Sequence, residues 1–222
     1  MLRTFRTWIV RKPSYAVAMT KTKAPGELTI RPLTPETWDA FADLARRHNG
    51  VWGGCWCTWF HRETHSAPET NAVPKPPTYS RDYKRERVET GRAHASLMFD
   101  GETAVGWAEY GNPEELPGIY HLKEYLEGLD VLPDYRITCF FIDTRYRRQG
   151  VSAVALSGAL DLIGLAGGGV VEAYPRDTGG KQMTASFLYN GTRSLFEQAG
   201  FSYSRPKGKF NCVMTATVAP AK

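Results

Sequence analysis

The fold is decided by residues 137–163, which read ITCFFIDTRYRRQGVSAVALSGALDLI. The stretch opens at 137–142 with β-branched and aromatic residues, the composition of a buried strand. A basic turn follows at 145–149 and ends in Gly150. Beyond the glycine the apolar residues recur at helical spacing, on a face formed by Val151, Ala155, Leu156, Ala159, Leu160 and Ile163. The stretch therefore predicts a strand, a basic turn and a helix.

Such a junction can hold a phosphate group. The first-turn amides of a helix have no internal acceptors, and with the helix dipole they favour an anion. Gly150 has no Cβ to obstruct a ligand, and the neighbouring arginines can donate charge-assisted hydrogen bonds. A lone glycine in such a turn is a weak signal, because most strand–turn–helix junctions bind nothing. Whether this turn binds phosphate has to be judged from the surrounding residues.

Residues 147–152, Arg-Arg-Gln-Gly-Val-Ser, resemble the pyrophosphate loop of the GNAT superfamily of N-acetyltransferases, whose pattern is Arg/Gln-x-x-Gly-x-Gly/Ala. Ser152 departs from that pattern at a position where the family usually has Gly or Ala. Downstream, residues 195–201, Leu-Phe-Glu-Gln-Ala-Gly-Phe, are similar to the family's aromatic-Glu-x-x-Gly-Phe helix end. The resemblance covers about residues 136–205, whereas residues 27–110 fit only by the order of their elements.

The resemblance implies a single α/β domain over residues 27–218. Its sheet is expected to be GNAT-like: mixed, mostly antiparallel, six- to seven-stranded and flanked by helices, with a V-shaped splay between the two central strands. Acetyl-CoA is the implied co-substrate, and no metal is expected. The implied cofactor-binding residues are Phe140, Phe141, Ile142, Arg147, Arg148, Gln149, Gly150, Val151, Ser152 and Asn190.

The basic leader, residues 1–26, has six basic residues and no acid, which leaves 22 basic against 23 acidic residues for the rest of the chain. The net charge of +5 therefore belongs to the leader. A nucleic-acid binder should carry a basic face on its folded part, so no nucleic-acid partner is predicted. The leader is predicted to be disordered; a targeting peptide, or an upstream start with Met19 the true one, stays open.

Four cysteines without a recognisable signal peptide do not indicate a disulfide framework. No apolar run approaches the roughly 18 residues that span a bilayer. We therefore expect a cytoplasmic protein with no membrane partner, as a monomer or homodimer.

An aromatic run, residues 51–60, contains three Trp and one Phe. Dense aromatic residues can simply pack in the core. Ligand pockets also prefer aromatic linings, and in the resembled family this position walls the acceptor pocket. The predicted substrate-binding residues are Trp56 and Trp59 from this run, with Trp107 and Tyr110 from the strand at 104–110. A zinc site at Cys55-x-Cys57-x3-His61-x3-His65 is the less favoured alternative, because its spacing is tighter than that of known two-knuckle sites.

Two charged stretches have simple explanations. The charges of the helix predicted at 80–89 are expected to form a solvated face. Residues 111–135 contain six acids, which predict an exposed loop; a funnel for a cationic amine is the functional alternative.

For catalysis, Glu109 is the predicted general base, because apolar neighbours on its strand would raise its pKa. Cys139 is an alternative catalytic group that could be acylated, although buried cysteines are usually inert, and His121 is a second candidate base. The tyrosine that protonates the leaving thiolate in many GNAT enzymes is replaced by Phe196. Tyr189, in a helix predicted at 185–198, can take that role after a local shift, or can simply pack.

The sequence thus predicts an acetyl-CoA-dependent N-acetyltransferase that acts on a primary amine, with a small cationic molecule favoured. A CoA-binding or sensing module with little or no catalysis is the alternative, because Phe196 cannot donate a proton.

Overall fold

A computed structural model describes residues 8–9, 28–62, 78–181 and 183–221. The strands are β1 Trp8–Ile9, β2 Thr29–Pro32, β3 His94–Asp100, β4 Thr103–Gly111, β5 Tyr135–Ile142, β6 Gly169–Ala173, β7 Ser202–Lys207 and β8 Asn211–Val218. The helices are α1 Trp38–Arg47, α2 Tyr79–Glu89, α3 Leu122–Glu127, α4 Val151–Leu165 and α5 Arg193–Gln198.

The strands form one sheet in the order β1-β2-β3-β4-β5-β6-β8-β7. Every neighbouring pair is antiparallel except β5 and β6, which run parallel because α4 crosses between them. The predicted mixed, mostly antiparallel sheet is confirmed, with seven strands and the two-residue β1 beside them. β1 falls within the basic leader, whose other residues lie outside the described ranges.

The two central strands, β5 and β6, diverge after a short paired segment. They pair only where residues 135–137 face residues 171–173. On the other side of β5, Glu109 faces Cys139 and Tyr110 faces Ile137, so Thr138 is an extra, bulged residue. On the side towards β6, β5 is bordered by a loop instead of a strand beyond Ile137, whereas its pairing with β4 continues to Ile142. The predicted V-shaped splay between the central strands is confirmed.

The loop that borders the splay is bound to β5 through two hydrogen bonds. The Phe140 amide donates to the Tyr189 carbonyl at 2.6 Å, and Asn190 Nδ2 donates to the Thr138 carbonyl at 2.7 Å. The helix predicted at 185–198 is wrong here, since only a 3₁₀ turn at 185–187 and α5 are helical. Gly191, with φ of +77°, breaks the helical path between them.

Each face of the sheet packs against helices. Ile137 and Phe140 of β5 pack with Ala155 and Leu156 of α4. On the opposite face, the alternate β5 residues Cys139 and Phe141 pack in a second core that contains α1 and the aromatic run. Because side chains alternate along a strand, β5 links the two cores. No helix in the described residues is long and apolar enough to cross a membrane.

Candidate active site

A cavity of about 410 Å³ opens beside the carboxyl end of β5. It joins the end of the strand, the basic turn, the start of α4 and the segment 183–188. Eight of the ten predicted cofactor residues line it: Phe140, Phe141, Ile142, Arg147, Arg148, Gly150, Val151 and Ser152. The sequence missed Trp52, Met183 and Leu188 as lining residues. Trp52 carried a usable signal, since it precedes two glycines that favour a loop over a core strand.

Gly150 shapes the floor of the cavity. It caps α4 at φ of +76°, a conformation that residues with a side chain rarely adopt. A Cβ built on it would meet no atom within 4 Å, so the space above it is open. The next two amides, of Val151 and Ser152, have no backbone acceptor within the described ranges. The start of α4 therefore presents free N–H groups and the positive end of a 15-residue helix.

The three arginines of the basic turn differ in their hydrogen-bond partners. Arg145 donates to Asp143 at 2.8 Å, and Arg147 Nε donates to the Ile142 carbonyl at 3.0 Å, so both fold back on the protein. Burial tends to raise the pKa of Asp143, but its hydrogen bonds from Arg145 lower it below the ordinary value. Arg148 is exposed, and within the described part of the chain its side chain has no hydrogen bond or ion pair. Arg148 therefore remains available to an anion.

Two of the predicted cofactor residues lie apart from the cavity lining. Gln149 Nε2 donates to the Arg145 carbonyl at 2.8 Å and so stabilises the turn. Asn190 is buried and holds the bulged Thr138. These contacts give both residues a structural part in shaping the site.

Glu109 lies in a buried network that the sequence did not predict. The buried network comprises Lys84, Glu109, His61 and Thr138, all fully or almost fully inaccessible to solvent. Lys84 Nζ donates to Glu109 Oε1 and contacts His61 Nε2, both at 2.8 Å, and Thr138 Oγ1 donates to Glu109 Oε2 at 2.7 Å. The third ammonium proton reaches the Cys57 carbonyl at 3.2 Å.

The hydrogen-bonding capacity of this network is used up. His61 Nδ1 lies 2.9 Å from the Glu115 carbonyl, so it carries the proton and leaves Nε2 to accept from Lys84. Burial raises the pKa of Glu109, but the Lys84 ammonium lowers it by more, so the carboxylate stays ionised. The expected rise in the pKa of Glu109 is therefore wrong in direction. An anion with such a low proton affinity and no free lone pair towards solvent is a poor general base.

Lys84 also corrects the interpretation of α2 as a solvated charged face. Most of the α2 charges are exposed or half-exposed, but Lys84 enters the core beside Val88. The charge pattern of one helix could not reveal this, because the partner carboxylate lies on a strand 25 residues away.

The predicted aromatic wall falls largely in the core. Trp56 packs with Trp38 and Phe41, Trp107 packs with Phe41 and Phe141, and Tyr110 is buried on the α4 face. None of the three lines the cavity. The cause is strand and loop geometry: alternation along β4 directs Trp107 under α1, where burial of a large ring is most stabilising.

A different set of rings adjoins the cavity through Trp52. We call it the aromatic cluster: Trp52, Trp59, Phe60, Tyr120 and Tyr189. Trp59 stacks on Tyr120 with ring centroids 3.7 Å apart, and Trp52 lies edge-on to both Phe141 and Tyr189. Burial, with the neighbouring Tyr120, raises the pKa of Tyr189, so its hydroxyl stays protonated. Tyr189 thus places a protonated hydroxyl in the loop that borders the splay.

The other candidate catalytic groups are less suitably placed. Cys139 is buried on β5, in the core that also contains Cys57. Burial raises the pKa of Cys57, as expected of an inert thiol. His121 caps α3 in a left-handed conformation and is more than half exposed, 4.0 Å from Glu124. Its position fits a solvated histidine.

The zinc interpretation finds no support in the described residues. Within these ranges no group of three or more His, Cys, Asp or Glu could hold a metal ion. His61 is committed to the buried network, and His65 lies outside the described residues.

No family model and no curated protein sequence matches this chain. Solved structures are similar to it. An acetyltransferase from Thermus thermophilus is 16% identical, with 88% of this chain and 99% of that chain covered and a TM-score of 0.47. A GNAT-family acetyltransferase described as putative, from Desulfovibrio desulfuricans, is 16% identical, with 86% and 99% covered and a TM-score of 0.48.

A PaiA N-acetyltransferase from Thermoplasma acidophilum, solved in complex with coenzyme A, is 14% identical, with 86% of this chain and 98% of that chain covered and a TM-score of 0.47. At these identities and TM-scores the similarity does not establish the fold or the function of this chain. The chain's own features carry the conclusion: the strand order, the parallel central pair that splays after a bulge, and the basic turn that starts α4. The predicted resemblance is confirmed at the level of the fold, and the chain has a fold of the GNAT type.

Proposed function

We propose that this protein is an acetyl-CoA-dependent N-acetyltransferase that acetylates a primary amine of a small molecule by direct attack on the thioester. The observation that carries the proposal is the cavity that runs from the splayed strand end at 140–142 to the start of α4. One continuous space thus offers an apolar strand edge for an extended arm and an anion site for phosphates.

The residues present fit the cofactor. The amides of Val151 and Ser152, the open space at Gly150 and the unpaired Arg148 would hold the pyrophosphate. Phe140, Phe141 and Ile142 would contact the pantetheine arm. When bound, acetyl-CoA supplies an acyl group on a thiolate leaving group of moderate basicity.

The Phe140 amide, on the splayed side of β5, is the group placed to stabilise an oxyanion. Its proton is held by the Tyr189 carbonyl at 2.6 Å. A ligand carbonyl can take this hydrogen bond only if the loop at 189–190 withdraws. Once freed in this way, a backbone amide can stabilise the charge that develops on the acyl oxygen.

Tyr189 is the proposed proton donor. In the reaction, the amine nitrogen forms a bond to the acyl carbon, the carbon–sulfur bond breaks, and the sulfur takes a proton. Because burial raises the pKa of Tyr189, its hydroxyl keeps its proton and can donate a hydrogen bond to the sulfur as the thiolate develops. Glu109 holds the bulge through Thr138, so the amine would lose its proton to water instead of to this carboxylate.

A cationic acceptor has partial support from the acidic stretch at 111–135. Some of its carboxylates are used locally: Glu115 bonds to His94 at 2.9 Å and Asp134 to the Val170 amide at 2.7 Å. Glu114, Glu127 and Asp130 lie on the surface, where they can attract an amine before it binds.

The alternative is a CoA-binding or sensing module. Phe196 favours it, because this residue is fully buried against Phe140 and Phe201 and places no proton donor at that position. The two functions differ in turnover and agree in binding.

The test uses two variants that differ only in charge. Gly150→Asn and Gly150→Asp place side chains of equal size in the open space, and both residues tolerate a positive φ better than most. Calorimetric titration of acetyl-CoA should give an affinity about 100-fold weaker for the Asp variant than for the Asn variant, since two charges about 4 Å apart repel by roughly 1 to 4 kcal/mol.

Thiol release from acetyl-CoA with a panel of amines then separates the two functions. Amine-dependent release by the parent supports the transferase, whereas binding without release on any amine supports the sensing module. Equal affinity of the Asn and Asp variants would show that the phosphates lie elsewhere and would overturn both.

A further inference from the structure

We infer that Arg176 forms an anion subsite for the acceptor, so that the substrate is an amine that also carries a carboxylate. This inference rests on the proposed function. The residue belongs to the segment that follows β6 and forms isolated bridges to Thr192 and Asn211.

The guanidinium of Arg176 contacts two phenylalanine rings. It lies 5.3 Å from the ring centroid of Phe187 and 4.7 Å from that of Phe210. The rings come from two separate segments, the 3₁₀ turn at 185–187 and the turn between β7 and β8. Both remain about half exposed, at 54% and 49%. Two ring contacts restrict the orientation of one cation, and half-exposed rings leave room for a ligand beside it.

The backbone of Arg176 is fixed as well. Its amide donates to the Gly191 carbonyl at 3.1 Å, and its carbonyl accepts from the Arg193 amide at 2.9 Å. Two adjoining segments therefore hold the residue from which the guanidinium extends. Such a donor loses little freedom when it binds a ligand, which favours affinity.

The guanidinium has no anionic partner in the described part of the chain. The adjacent acid, Asp177, is engaged by Arg193 at 3.0 Å. No ion pair or side-chain hydrogen bond reaches Arg176 itself within those ranges. Its N–H donors, which match a carboxylate in two-pronged geometry, are therefore available.

The position of Arg176 favours the acceptor over the cofactor as the source of the anion. Phe187 belongs to the segment whose residues Thr184, Ala185 and Leu188 line the cavity. Arg176 itself is not among the lining residues, and the phosphate end of the cavity already has Arg148. The Arg176 amide donates to the Gly191 carbonyl at 3.1 Å, two residues beyond Tyr189. The subsite thus lies beside the loop that contains Tyr189.

The substrate class that fits is a zwitterion such as an amino acid. Its carboxylate would bind Arg176, while its amine would lie by the aromatic cluster. Such a substrate can use both the acidic surface at 111–135 and the positive subsite. The acidic surface attracts its amine, and Arg176 binds its carboxylate.

The experiment compares amino acids with their carboxamides, which match in shape and differ in charge. Parent, Arg176→Gln, Arg176→Lys and a control, Lys209→Gln, are assayed for thiol release with acetyl-CoA. Lys209 is the matched control because its Nζ lies 5.2 Å from the other contact ring, Phe210. Binding of an N-acetyl amino acid and its carboxamide is measured by calorimetry, a readout that needs no turnover.

We expect the parent to prefer the acid over the carboxamide in both measurements. Arg176→Gln should reduce binding and kcat/KM for the acid about 10- to 100-fold, the range for hydrogen bonds to charged groups, and leave the carboxamide unchanged. Arg176→Lys should retain part of the preference, and Lys209→Gln all of it.

Equal losses for acid and carboxamide would show a structural role and overturn the inference. So would a parent that acetylates simple amines yet does not distinguish acid from carboxamide. In that case the transferase activity would still stand, whereas a parent that fails to bind acetyl-CoA would overturn the proposed function.

Discussion

Two charged regions adjoin β5, one at its middle and one beyond its carboxyl end, and they are organised in opposite ways. In the buried network, Lys84, Glu109 and His61 satisfy one another, and solvent reaches none of them. In the basic turn, Arg148 and the first amides of α4 have no partner within the described residues. A region whose polar groups are all paired can hold a shape, and a region with unpaired donors can bind a ligand. The carboxylate predicted to act as a base belongs to the first kind.

Removal of one charged side chain from the buried network should cause the largest loss of stability. Lys84→Met leaves the Glu109 carboxylate without a counter-ion in the core, which typically costs about 3 to 5 kcal/mol of the free energy of unfolding. Adding Glu109→Gln should recover much of this loss, because the double variant buries no net charge. Urea unfolding of the parent, both single variants and the double variant measures the coupling.

The double variant is the control in that experiment. If it is no more stable than Lys84→Met, the ion pair does not account for the loss, and the packing of the lysine stem does.

Acid should also destabilise the buried network. We expect the loss in the free energy of unfolding to be no greater than the loss caused by Lys84→Met. Burial, and then Lys84, lower the pKa of His61, so it stays neutral in the folded protein. The unfolded chain takes up that proton below about pH 6.5, so stability falls as the pH drops from there. Glu109 adds a second loss: its folded pKa is lowered, so its contribution is complete above the ordinary value of 4.5 and disappears below it.

Unfolding free energies measured from pH 8 to pH 4 test this order. His61→Gln should flatten the profile between pH 7 and pH 5 and leave the later decline. A parent whose stability does not change between pH 7 and pH 5 would contradict the assignment of a buried neutral imidazole.

The sequence predicted the region around the basic turn better than the buried network. The strand at 137–142, the turn at 145–149 and the helix after Gly150 follow from local patterns of period and composition, and all three are present. The site at Lys84 and Glu109 could not be predicted in this way, because the pairing depends on how α2 packs over β4. The same limit applies to Trp107, whose ring belonged to the core and not to a pocket wall.

The hydrogen bond between Thr138 and Glu109 links the buried network to the splay. Its removal should have the next largest effect on stability. Thr138→Val keeps the shape of the side chain but removes the hydroxyl that donates to Glu109 at 2.7 Å. An unsatisfied buried carboxylate oxygen should cost about 1 to 3 kcal/mol in stability, and more of the bulge should become mobile. Amide hydrogen exchange at Phe140, whose proton is held by the Tyr189 carbonyl, should speed up.

Thr138→Ser is the matched control, since it keeps the hydroxyl and loses only a methyl group. If exchange at Phe140 is faster in both variants to the same extent, packing and not the hydrogen bond holds the bulge.

The smallest effect is expected in the basic turn, at Arg148. Its backbone has a φ of +59°, which Lys and Gln must adopt equally, so Arg148→Lys and Arg148→Gln differ mainly in charge. Because the side chain is exposed, loss of its charge should weaken acetyl-CoA binding only severalfold, in keeping with about 0.2 to 1 kcal/mol for exposed ion pairs. Calorimetry at low and high salt should show the difference shrink as the salt rises. A salt-independent loss of affinity of 100-fold or more would mean that the ligand buries Arg148. With ligand bound, the basic turn would then resemble the buried network, because its charges would be paired and shielded from solvent.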